Sequence, residues 1–211
     1  MIFGEYEKEL LTALQNCIRP DAVFYDIGAH TGFFSCAWVH MGGAMAYAFE
    51  PCKANALLVR KNALVNEFEG IQSFELALSS DCGEGFLLVN KSTLGDASRG
   101  FISGQGGSIE GVTEHDYTDR EKVTLTTLDY ITQYKNLRPP TILKIDVEGA
   151  EVHVLRGAME TLSRYKPVLL IEVHNICNAI YIEELLSPLG YVPEILTPEA
   201  KWPQIAWRPR E

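Results

Sequence analysis

Tyr25-Asp26-Ile27-Gly28-Ala29-His30-Thr31-Gly32, followed by Tyr47-Ala48-Phe49-Glu50-Pro51, is the part of the chain whose reading decides the fold. An apolar run from Val23 ends in Asp26 and two glycines, and a helix-like run starts at Thr31. A second apolar run ends in Glu50 about 20 residues on, the spacing of the ribose-binding acid in nucleotide-binding βαβ units. The glycines allow a tight turn and a close approach of backbone to ligand, and Glu50 can accept hydrogen bonds from ribose hydroxyls. Asp26 narrows the ligand. Beside a pyrophosphate its charge would be repelled, whereas the ammonium and sulfonium of S-adenosylmethionine would attract it. Gly28-x-x-x-Gly32 also lacks the third glycine of the dinucleotide fingerprint, so a dinucleotide is the second choice.

The length of 211 residues suits one sizeable α/β domain over residues 1–211, with no stretch resembling an interdomain linker. The hydrophobic fraction of 46% is ordinary for a folded soluble chain. No run approaches the roughly 18 apolar residues of a membrane span, and the first residues do not read as a signal peptide. A net charge of −10 with scattered Lys and Arg works against nucleic acid and favours a small neutral or locally cationic partner. Five cysteines without a C-x-x-C pair read as reduced thiols of a cytoplasmic protein.

Strands alternate with helical runs, which predicts a parallel sheet covered on both faces. The expected order is a helix from Glu5 to Ile18, a strand Val23 to Ile27, a helix capped by Thr31, and a strand Ala44 to Phe49. A helix from Lys53 to Asn66 and a strand Ile71 to Leu78 follow. Gly85 to Val89 and Lys122 to Thr127 read as short strands. They flank an irregular stretch from Asn90 to Glu121 that is either a functional lid or disordered. Thr141 to Gly149, a helix from Ala150 to Tyr165 and a strand Val168 to Val173 resume the pattern. A helix from Asn178 to Leu189 and a hairpin of Tyr191 to Leu196 with Gln204 to Arg208 close it.

Ligands in open parallel sheets bind beyond the carboxyl ends of the strands. Four strands here finish on acids or a histidine: Asp26; Glu50; Asp146 with Glu148; Glu172 with His174. Period-two alternation puts Lys144, Asp146 and Glu148 on one side of their strand. A partly buried Lys144 needs a partner, Asp146 or Glu172. His174 is the histidine best placed for proton transfer near neutrality, against the plainer reading of a satisfied residue at the core's rim. His30 shapes the glycine loop, and His40, His115 and His153 read as surface residues. Asp146, Glu148, Glu172 and His174 could also hold a hard cation such as Mg²⁺, although nothing in the spacing demands a metal.

FYDIGAHTGFFS, YAFEP, LALSSDCGEG, TLTTLDYI, LKIDVEGAEVHVLRGA and VLLIEVH together resemble the successive motifs of the FkbM family of S-adenosylmethionine-dependent methyltransferases, from about Val23 to His174. The resemblance implies a Rossmann-like class I methyltransferase fold, a seven-stranded, mostly parallel sheet with helices on both faces. It implies that Asp26, Gly28 and Gly32, with Ala29, His30 and Thr31 in the same loop, hold the methionine part of the cofactor. Glu50 would take the ribose, and Ala77 and Leu78 would lie near the adenine. Asp146 and Glu148 would line the junction of cofactor and acceptor. His30 stands where the family more often has asparagine.

The implied reaction is O-methylation of a hydroxyl on a sugar or natural product, with N-methylation of an amine or amide as runner-up. His174 is the first candidate base and Asp146 the second. The insertion would close over the acceptor. A cofactor-binding protein without catalysis is the reading from another class. The acceptor's identity and regiochemistry stay open, as does the choice between monomer and homodimer.

Overall fold

The computed structural model describes residues 7–89, 100–102 and 119–210. Its frame is set by β1 (Val23–Ile27), whose five residues are all buried. Because side chains alternate along a strand, Val23, Tyr25 and Ile27 enter one core and Phe24 the other. The neighbouring strands β2 (Met45–Phe49), β8 (Ile142–Ile145) and β9 (Val168–Glu172) divide the same way. Tyr47, Phe49, Leu143, Ile145, Leu169 and Ile171 join the first core, while Ala46, Ile142 and Leu170 join the second. Helices α1 (Lys8–Gln15) and α2 (Phe33–His40) seal the second core through Leu10, Leu14, Ala37 and Trp38. On the other face lie α5 (Glu151–Arg156), α6 (Met159–Tyr165) and α7 (Ile176–Leu186). A sheet buried on both sides reads as continuous apolar runs, as these strands do.

With β3 (Ile71–Phe74), β10 (Tyr191–Ile195) and β11 (Gln204–Pro209), the sheet has the order β10-β11-β9-β8-β1-β2-β3. β11 runs antiparallel to both neighbours and the pairs from β9 to β3 are parallel. From β1 the chain moves outward through β2 and β3, then returns to β8 on β1's other side. That reversal between β1 and β8 opens a crevice at the carboxyl ends of the strands. The seven-stranded, mostly parallel sheet with helices on both faces agrees with the expected fold class.

Several local expectations need correction. The run Ile71 to Leu78 is not one strand. β3 stops at Phe74, and Ala77–Leu78 forms β4 in a second sheet of order β4-β7-β5-β6, with β5 Gly83–Val89, β6 Gly100–Ile102 and β7 Asp119–Thr126. The mixed run Ile71-Gln72-Ser73-Phe74-Glu75-Leu76-Ala77-Leu78 has no Gly or Pro to mark the change of sheet. Thr31 does not cap α2, because Gly32 occupies the cap position and makes no side-chain bond. The last helix starts at Ile176, two residues early, capped by Asn175, whose side chain accepts from the Asn178 N–H. Gly190 closes its 3-10 extension with φ +80°. Residues 5 and 6 of the first helix and His115 lie outside the described residues. So does most of the Asn90 to Glu121 insertion, but within it residues 100–102 pair with β5 as a strand.

The helix expected from Ala150 to Tyr165 is broken between α5 and α6 at Gly157. A Cβ there would lie 2.0 Å from the Ser79 carbonyl oxygen, so the backbones meet at a distance only glycine permits. α6 then restarts under an external cap from α4 (Leu128–Tyr134): the Asp129 carboxylate accepts from the N–H groups of Glu160 at 3.1 Å and Thr161 at 2.7 Å. Among the described residues no helix is long and apolar enough to cross a membrane. Gly157→Ala is expected to cost about 1–3 kcal/mol by overpacking against Ser79. Gly83→Ala, where no atom lies within 4 Å of the added carbon, should stay within about 0.5 kcal/mol of the parent in denaturant unfolding.

Candidate functional site

The loop leaving β1 is shaped by contact with the end of β8. A Cβ on Gly28, whose φ is +74°, would lie 1.9 Å from the Asp146 carbonyl oxygen. Only glycine lets the two strand ends touch here. His30 follows at φ +52°, a left-handed conformation in which histidine and asparagine are both enriched. That shared tolerance accounts for a histidine where asparagine is more usual. Its N–H donates to Glu50 Oε2 at 2.8 Å, and the Cys52 N–H donates to Glu50 Oε1 at 2.9 Å. Glu50 is 6% exposed, and burial pushes its carboxyl up to about 7 against those hydrogen bonds.

A cavity of about 710 Å³ runs along these strand ends. At one end lie Glu50, Ala77 and Leu78 with Leu76 and Leu87. Gly28, Ala29, His30 and Thr31 line its middle, and Asp146, Glu148, Glu172 and His174 its other end. Of the residues expected at a cofactor, Asp26 and Gly32 are not among those lining the cavity. Gly32, at φ +81°, instead packs against Val59, whose Cγ1 would lie 3.0 Å from an added Cβ.

Asp26 is fully buried, and its work is internal. Oδ2 accepts from the backbone N–H of Ser35 at 3.1 Å and from its hydroxyl at 2.7 Å, so Asp26 satisfies an N–H in the first turn of α2. Oδ1 lies 3.5 Å from Lys144 Nζ. Asp26 therefore faces Ser35 and Lys144 and does not line the cavity where a sulfonium was expected. The ammonium also lies 3.3 Å from Asp146, donates to the Gly28 carbonyl at 3.0 Å and sits 5.2 Å from the Phe34 ring centroid. Burial alone would discharge it. Asp146 and Asp26 more than offset that, so Lys144 stays cationic. The expected ion pair with Asp146 is present, and the second partner is Asp26, with Glu172 acting at longer range.

β8 ends at Ile145, so Glu148 does not reach the cavity by strand alternation. Glu148 at φ +52° and Gly149 at φ +100° turn the chain, and this bend brings the Glu148 side chain beside His174. His174 is 1% exposed, with Nε2 3.5 Å from Glu148, 3.5 Å from Glu172 and 3.8 Å from Asp146. Nδ1 donates to Glu151 Oε1 at 2.7 Å. Burial would lower the imidazole's pKa, but the Glu151 hydrogen bond and charge, with Asp146 and Glu148, raise it to about 9. At neutral pH the ring is a cation among acids. Glu172 is held up near 7 by burial and by Asp146, opposed by His174. Asp146, Glu148 and His174 each bring one ligand atom within 4.8 Å of the others, a spread one cation could bridge; the imidazolium already places a positive charge there.

Four contributors were not legible in the sequence. Glu151 reads as an ordinary acid in a first helical turn, and Asn178 as a polar residue on a surface helix. Leu87 and Trp202 enter from the second sheet and from the β10–β11 connection, whose placement no local pattern announces.

The comparisons follow this geometry. The family model described as "Methyltransferase FkbM domain" matches residues 26–193. The "Hexuronic acid methyltransferase AglP" of Haloferax volcanii is 24% identical over 192 residues, covering 90% of this chain and 71% of its own. Among solved structures, "Methyltransferase FkbM from Methylobacillus flagellatus KT" superposes with a TM-score of 0.62 at 16% identity, over 89% of this chain and 43% of that one. A "Precorrin-6y C5,15-methyltransferase" from Geobacter metallireducens GS-15 gives 0.56 at 14% identity, over 98% and 90%. The chain thus spans less than half of the first of these structures, and at such identities both likenesses speak to the fold alone. The match over residues 26–193 makes this chain a member of the FkbM methyltransferase family.

Proposed function

We propose that this protein transfers a methyl group from S-adenosylmethionine to a hydroxyl of a small molecule, with a sugar or a sugar-bearing natural product the favoured class. The observation that carries the reading is the cavity with a buried acid and an apolar wall at one end and a histidine ringed by acids at the other. The residues fit that cofactor. When ionised, Glu50 is an acceptor-only group whose remaining lone pairs suit a ribose diol. Leu76, Ala77, Leu78 and Leu87 offer an apolar slot to a purine. The glycine loop lines the middle, and the carboxylates of Asp146 and Glu148 suit a positively charged group. When bound, S-adenosylmethionine supplies a methyl group activated by the positive sulfur.

The chain's own residues hold the acceptor and take its proton. Asp146, Glu148 and Glu172 accept hydrogen bonds from hydroxyls and so turn an oxygen lone pair toward the methyl position. In its neutral form His174 Nε2, the ring nitrogen on the cavity side, would take the proton of the acceptor hydroxyl as the methyl carbon leaves sulfur for that oxygen and sulfur keeps the electrons of the broken bond. Asp146 is the alternative base. An amine among the same acids would keep its proton and lose its lone pair, which favours oxygen over nitrogen as acceptor. The name of the Haloferax relative supports a sugar. The free thiols support a reducing compartment, and a net charge of −10 argues against a nucleic-acid acceptor.

Calorimetry is expected to show binding of S-adenosylmethionine and S-adenosylhomocysteine, with NAD bound far more weakly. Glu50→Ala should weaken both favoured ligands by about 1.5–3 kcal/mol, and unchanged affinity would remove Glu50 from the ribose site. Mass spectrometry of extracts incubated with methyl-labelled cofactor identifies the acceptor, and labelling on nitrogen would select the runner-up.

The pH dependence follows from His174. Only the neutral ring accepts a proton, and its pKa stands at about 9, so the methyl-transfer rate should climb with pH through neutrality and level off above about 9. His174→Ala should lower kcat by about 10²–10⁴-fold with little change in cofactor affinity. If Asp146→Asn abolishes turnover while His174→Ala retains most of it, the base is Asp146.

A further inference from the structure

We propose that Glu151 is the positioning residue of this site, locking the His174 ring so that Nδ1 is committed to the protein and Nε2 faces the acceptor. The inference rests on the reading of His174 as the proton acceptor. Glu151 is fully buried in the first turn of α5, and it is not among the residues lining the cavity. A buried carboxylate is costly unless its oxygens are engaged, and here each one is. Oε1 accepts from His174 Nδ1 at 2.7 Å and from the Gly149 N–H at 2.9 Å. Oε2 accepts from Asn178 Nδ2, which also donates to the Gly149 carbonyl at 2.9 Å.

The carboxylate therefore joins three segments: the turn after β8, the residue after β9 and the first turns of α7. Replacing a buried ionic cluster with apolar residues is often neutral or stabilising, so the fold alone has little use for this acid. Its value lies in direction. A carboxylate accepts and never donates, so the ring nitrogen beside it must carry the proton. With Nδ1 keeping its proton, the imidazolium loses its other proton from Nε2, and that loss exposes the Nε2 lone pair toward Asp146, Glu148 and Glu172. Asn178 keeps the acid from rotating away.

The test pairs a spectroscopic signal with kinetics. A proton shared between a buried carboxylate and imidazole resonates far downfield of the amide envelope and exchanges slowly. The unmodified protein should show one such line, absent from Glu151→Gln and from His174→Ala. Glu151→Gln should bind S-adenosylhomocysteine within about twofold of the parent, because Glu151 does not line the cavity. Its kcat on the acceptor found by labelling should fall by about 10²-fold with KM little changed. Asn178→Ala leaves acid and imidazole in place. It should shift or broaden the line and lower kcat less, and it carries the test alone if Glu151→Gln does not fold. Persistence of the line in Glu151→Gln, an unshifted line in Asn178→Ala, or unaltered kcat in the variant that folds overturns the proposal. Cofactor binding without methyl transfer by the parent protein would sink the proposed function, while the downfield line would still report whether Glu151 holds the ring.

Discussion

The buried ammonium of Lys144 is the constraint on which the site depends. It stands on a central strand with 4% of its surface exposed, where an unpaired charge would be untenable. Its partners come from different segments: the Asp26 carboxylate in β1, the Gly28 carbonyl in the loop beyond, Asp146 past the end of β8 and the ring of Phe34 in α2. One cation thus ties the loop after β1 to the turn after β8. Removing one member of such a group strands the others, a loss of about 3–5 kcal/mol in comparable buried pairs. The missing side chain at Gly28 serves the same end, since the Asp146 carbonyl occupies the space a Cβ would need.

Charge is distributed along the cavity with some economy. Lys144 accounts for Asp26 and part of Asp146, and the imidazolium of His174 offsets the acids beyond. Glu50 accepts from backbone N–H groups and feels both the Asn55 side chain and the Lys144 charge, yet burial still carries it up to about 7. A ribose diol would supply the donors that it lacks. At the acid-rich end the opposite holds: Glu148 and Glu172 share one ring with Asp146, and any incoming cation competes with that ring for the same oxygens. Proton affinity at His174 and occupancy of the cavity are physically linked through these shared carboxylates.

What the sequence made legible follows from short-range periodicity. Strands sealed on both faces are written as apolar runs, and the polar residue that ends each run marks the sheet's carboxyl edge. Asp146, Glu50 and His174 were readable for that reason. Asp26 obeyed the same pattern yet serves the interior, because a strand-end position does not say whether the side chain turns toward the crevice or toward the following helix. Gly157 and Ser79 are far apart in sequence, so the contact that splits α5 from α6 leaves no periodic trace. Glu151 was hidden for a different reason: an acid in the first turn of a helix has a sufficient local explanation in the helix dipole.

The two ends of the cavity belong to different parts of the chain, and this shapes how the site can vary. Glu50 and its apolar wall are built from the β2 end, the β3–β4 passage and Leu87 of the second sheet. The acid-rich end is built from the β8 and β9 ends, with Thr197, Lys201 and Trp202 of the β10–β11 connection also lining the cavity. Trp202 lies 5.6 Å from the His174 ring and carries Lys201 against its face at 4.6 Å. That connection is anchored beside the site, where the Val173 N–H donates to the Pro203 carbonyl at 3.0 Å. Under the proposed function, selectivity for the acceptor would fall to that connection, a loop, while the cofactor and the proton would fall to residues just past the ends of β1, β2, β8 and β9.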